Sequence, residues 1–62
     1  MTADKAFARH EMFTEAADHL DGCVTESADE QAEIPFVQNL LRRNAAKWLR
    51  VAHQLKGAAH ER

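Results

Sequence analysis

Between Ile34 and Leu55 the apolar residues keep a seven-residue rhythm: Ile34, Leu41, Trp48 and Leu55 mark one line, and Val37, Asn44 and Val51 fall three places later in each heptad. Such a rhythm predicts a long helix whose stripe is buried against other helices in a coiled-coil-like seam. Pro35 suits the first position of that helix, and it pushes Ile34 away from helical angles. Gly57 suits its end, with Lys56 beside the negative terminus. The expected helix therefore spans about residues 35–56, with a frayed tail over 58–62.

Upstream, residues 3–21 read as a first helix, with Thr2 as N-cap and many alanines supplying propensity. On a wheel of about 100° per residue, Ala6, Phe13, Ala16, Ala17 and Leu20 gather on one side. Asp4, Glu11, Glu15 and Asp18 take the other, where Phe7 is an apolar misfit. Gly22 can adopt the left-handed conformation that stops the helix. A new start is written at Ser27-Ala28-Asp29-Glu30, a capping box in which the Ser27 side chain accepts from the Glu30 N–H and the Glu30 side chain returns to Ser27. With Pro35 downstream, this start predicts a short helical turn over about residues 28–33 before the main helix. A single kinked helix is the alternative. The chain is thus expected to be one all-α domain, a helical hairpin.

Two antiparallel helices alone leave one side of Leu40, Leu41, Trp48 and Val51 wet, so the hairpin is expected to dimerise into an antiparallel four-helix bundle. The expected core and dimer residues are Phe13, Leu20, Val37, Leu41, Asn44, Trp48, Val51 and Leu55. Asn44 stands where leucine packs better, and a lone amide in a heptad core fixes register or oligomer state. At 62 residues a single core leaves stability marginal, which again favours assembly.

The net charge of −2 hides an asymmetry. Residues 1–33 carry nine acidic groups against Lys5 and Arg9, a net of −7, whereas residues 34–62 carry six basic groups against Glu61, a net of +5. The halves attract, which favours packing one upon the other. Cys23 is the lone cysteine, so no internal disulfide forms and a reducing compartment, the cytosol, is expected. Neither a signal-peptide pattern nor an apolar run near the ~20 residues that span a bilayer is present, and no membrane role is expected.

Ala28-Asp29-Glu30-Gln31-Ala32-Glu33-Ile34 resembles the start of the second helix in the plasmid-encoded RNA-binding repressor-of-primer family. That family consists of hairpins of about this length that pair into a bundle, and the resemblance implies the same for this chain. The family's RNA-contacting face lies on its first helix and is basic and amide-rich. Here the exposed stripe of the first helix is acidic through Asp4, Glu11, Glu15 and Asp18, a departure that counts against RNA binding.

Chemistry finds few handles. His10, His19, His53, His60, Glu11 and Glu15 are ligand types, and Glu15 and His19 stand four apart on one helical face. A metal site needs three or four converging ligands, and His10 and His19 lie on opposite sides of the wheel, so surface histidines and no metal are expected. Cys23 follows Gly22 in an acidic neighbourhood that disfavours a thiolate, and it reads as a small apolar filler. Phosphate loop and catalytic triad patterns are lacking, and the expectation is no enzyme and no cofactor. What remains is surface: Phe7, the acidic Asp4, Glu11 and Asp18, and the basic strip Arg42, Arg43, Lys47 and Arg50 on the long helix. These are the candidate partner-binding residues. The expected function is a protein–protein interaction module, an adaptor or inhibitor of another protein, partnered also with itself. The alternative is a small nucleic-acid-binding regulator using the basic strip.

Overall fold

The computed structural model describes residues 1–60, the last three by backbone alone. Two helices, α1 (Ala3–His19) and α2 (Ala28–His60), pack antiparallel as a hairpin. The Thr2 side chain accepts from the Lys5 N–H at 3.2 Å, supplying one of the partners that the first turn lacks. At the far end Leu20 caps α1, and Gly22 turns the chain with φ +75°, a conformation that costs a side-chain-bearing residue about 1–2 kcal/mol. The capping box forms: the Glu30 N–H donates to Ser27 Oγ at 3.1 Å, and the Ser27 hydroxyl donates to the Glu30 carboxylate at 3.2 Å.

Two elements differ from expectation. α2 is one helix from Ala28, with Pro35 inside it, instead of a short turn followed by a second start. By the time the chain reaches Pro35 the box at Ser27 has already nucleated the helix. The missing N–H lies on an exposed side of α2, where water can reach the carbonyl it leaves free. The helix also runs through Gly57 to His60, so glycine there is a helical residue and no terminator. Of the fraying expected over 58–62, residues 61 and 62 lie outside the described residues.

Length sets the shape. With 33 residues α2 reaches about 50 Å, twice the span of the 17-residue α1, and the principal extents are 54 × 15 × 13 Å. α1 lies against the middle of α2, so the ends of α2 have no helical neighbour within the chain. A side chain outside the heptad pattern ties down the loop. Gln31 donates to the Cys23 carbonyl at 2.8 Å and accepts from the Thr25 N–H at 2.9 Å. The Cys23 thiol donates to the His19 carbonyl at 2.9 Å.

Alanine lines the seam. The buried residues are Ala6 and Ala17 of α1 and Ala45 and Ala52 of α2, and among the described residues no larger side chain is fully buried. Alanines at these places let the two backbones approach closely, while Phe13, Leu20, Leu41, Asn44, Trp48, Val51 and Leu55 flank the line of approach half-buried. Val37, 44% exposed, lies further out. Polar links cross the seam at its margins: His10 Nδ1 donates to the Ala45 carbonyl at 2.8 Å, and Gln38 donates to the Ala17 carbonyl at 3.0 Å. His10, expected on the surface, is half-buried because it stands on the same side of α1 as Ala6 and Ala17.

Candidate functional site

The two margins of the seam differ in chemistry. On one, Arg42 of α2 reaches across to Asp18 at 3.6 Å and Asp21 at 3.9 Å, joining the basic half of the chain to the acidic half. All three side chains are at least half exposed, so each pair contributes at most about 1 kcal/mol. The same margin holds Phe7, whose ring meets His53 edge-on with centroids 5.6 Å apart and planes at 87°. Phe7, a misfit in the sequence pattern, is thus half-buried against its own chain.

The opposite margin is apolar. Arg9 and Trp48 identify it, since the Arg9 guanidinium lies 4.5 Å from the centre of the indole ring and Lys47 lies 5.0 Å from it. Such cation–π contacts are worth about 0.5–1 kcal/mol each where water has access. By helical spacing, Met12, Phe13, Ala16 and Leu20 of α1 stand on this side with Val37, Leu40, Asn44, Trp48, Val51 and Leu55 of α2. Met12 is 56% exposed and Leu40 58%. The result is a continuous apolar face along both helices, interrupted at its middle by Asn44. One Asn44 amide hydrogen goes back to the Leu40 carbonyl at 3.0 Å, within its own helix.

A molecule of 7.0 kDa with an ordinary compact fold exposes about 4,000 Å², whereas this chain exposes 4,914 Å². The excess goes with the elongated shape, in which both ends of α2 extend beyond α1.

The basic strip divides under inspection. Arg42 is engaged with Asp18 and Asp21, and Lys47 lies over Trp48, whereas Arg43 and Arg50 make no ion pair among the described residues. Phe36, which the heptad reading passed over, precedes Arg43 by one heptad and is 74% exposed. Phe36, Arg43 and Arg50 therefore align on the outer side of α2, away from the apolar margin and from α1. Its signal in the sequence was the spacing to the two arginines. Asp4, Glu11 and Asp18 are exposed on α1. Among the described residues no group of three metal-ligand side chains converges, and the His60 side chain lies outside them. Nor is any described helix long and apolar enough to cross a membrane.

In comparisons with known proteins, no family model, no curated protein and no solved structure matches this chain.

Proposed function

We propose that this chain is a non-enzymatic interaction module, an adaptor or inhibitor that presents a helical-bundle face to another protein. It assembles first with itself, burying the face of Met12, Leu40, Trp48 and Val51 against a second copy in a four-helix bundle. One observation carries this reading: among the described residues nothing larger than alanine is fully buried, while large apolar side chains line one margin of the hairpin. A chain of this size gains little stability from four alanines, and a second hairpin supplies the missing core. The outer stripe of Phe36, Arg43 and Arg50 stays outside such a bundle. An exposed aromatic followed along the helix by two guanidinium groups suits an acidic segment of a partner protein that carries an apolar anchor at one end.

Light scattering after gel filtration tests the assembly, with a dimer expected at micromolar concentration and a folded monomer overturning it. The partner stripe is tested by Arg43→Glu with Arg50→Glu. That double variant is expected to lose a captured protein partner, while its melting temperature stays within a few degrees of the parent because exposed charges contribute only about 0–1 kcal/mol. Retained binding would sink the stripe as the docking face. The nucleic-acid alternative finds less support, since Arg42 and Lys47 are engaged within the chain. It demands affinity that falls steeply with salt, becoming shallower by about one unit of slope per cation removed.

A further inference from the structure

Two four-helix bundles keep every neighbouring pair of helices antiparallel when two hairpins stack by their apolar faces. In one, α1 lies over the second copy's α2, and both loops emerge at the same end. In the other, each helix lies over its own counterpart, and the loops emerge at opposite ends. From the distribution of charge along the hairpin we infer that the second copy docks with its loop at the opposite end, the dyad passing at the level of Met12 and Asn44. The inference rests on the homodimer proposed above.

The hairpin is charged unevenly along its 54 Å length. On the loop side of the level of Met12 and Asn44, Glu15, Asp18, Asp21, Glu26, Asp29, Glu30 and Glu33 stand against Arg42 and Arg43, a net of −5. On the open side, among the described residues, Lys5, Arg9, Lys47, Arg50 and Lys56 stand against Asp4 and Glu11, a net of +3. Stacking with loops together superposes −5 on −5 and +3 on +3. It also brings both copies of Arg9 and Lys47, which flank Trp48 on the apolar face, to one level. Stacking with loops apart sets each acidic end over a basic end, and only that orientation lets the charges assist the apolar contact.

The level of the dyad follows from the register of the hairpin. The bonds from His10 to Ala45 and from Gln38 to Ala17 place Met12 of α1 and Asn44 of α2 near the same height. Both lie close to the middle of the overlap between the helices. A dyad there stacks α1 on α1 and α2 on α2 without offset, so the whole apolar face is covered. It also sets the two Asn44 side chains against each other, each with an oxygen and one amide hydrogen not used in the bond to Leu40.

The native Cys23 reports the orientation. Cys23, whose carbonyl accepts from the Gln31 side chain, lies near the level of Gln31, thirteen residues before Asn44 and about 20 Å along the axis, so nitroxide labels on the two copies stand about 40 Å apart with loops at opposite ends. With loops together they stand under about 20 Å apart. Pulsed dipolar spectroscopy on the labelled dimer is expected to give the long distance. A second labelled chain, Cys23→Ser with Glu26→Cys, leaves the Gln31 hydrogen bonds at the loop in place and is expected to agree. A short distance in both chains overturns the orientation while leaving the homodimer intact, whereas a monomer by light scattering overturns the homodimer and the orientation with it. Reversing Glu26, Asp29 and Glu33 to lysine turns the loop end net positive, keeps the Ser27–Glu30 capping box, and is expected to add a short-distance population. A distance that stays single and long in that variant overturns charge as what selects the orientation.

Discussion

Asn44 spends one amide hydrogen on the Leu40 carbonyl of its own helix and stands half-buried in the middle of the apolar face. Its remaining polar atoms must find water or a mate, which makes it the costliest residue on that face and the one most able to discriminate between pairings. Asn44→Leu is expected to raise the melting temperature by about 4–8 °C, the equivalent of roughly 1 kcal/mol in a domain of this size. Sedimentation velocity is expected to show a broader distribution of species for the variant. A sharp, unchanged dimer peak would mean that Asn44 selects nothing. His10 is a contrasting case at the same scale. Its Nδ1 faces a carbonyl, which only accepts, so that nitrogen carries the hydrogen.

The elements follow local chemistry closely at their caps and loosely in their interiors. Gly22 and Gly57 make the contrast measurable. At Gly22, φ +75° penalises any side chain, and Gly22→Ala is expected to lower stability by about 1–2 kcal/mol. At Gly57 an added Cβ meets nothing within 4 Å and the residue is helical, so Gly57→Ala is expected to raise stability by about 0.5–1 kcal/mol. Urea unfolding of both variants checks the opposite signs. Thr2, Gly22 and the Ser27–Glu30 box were legible because each acts on its nearest neighbours. Pro35 and Gly57 were not, because each is a bias of at most about 3 kcal/mol that the rest of a long helix can outweigh. Gln31 escaped notice for another reason. Its partners, Cys23 and Thr25, come near only once the loop has folded back along α2.

On the scale of the whole molecule, the heptad pattern announced a long seam but did not say what fills it. The small residues meet where the helices come closest, and the large ones named from the heptad lie beside them. Pattern alone cannot separate those two positions, because residues flanking an intramolecular seam and residues facing a second copy share the same periodicity. Trp48→Ala therefore tests assembly more than hairpin packing. The variant is expected to lose about 3 kcal/mol, and its melting temperature is expected to fall steeply on dilution as monomer accumulates. A loss independent of concentration would place the indole in the hairpin's own core. The alanine seam has a thermal consequence as well. The heat capacity of unfolding grows with the apolar surface that unfolding exposes, which in the hairpin belongs to the buried alanines and the half-buried residues beside them. A dimer that also covers Met12, Val37 and Leu40 exposes more on unfolding, and its heat-capacity step per chain is expected to exceed that of a single hairpin. Calorimetry across a dilution series reads this difference as a step that shrinks when monomer accumulates.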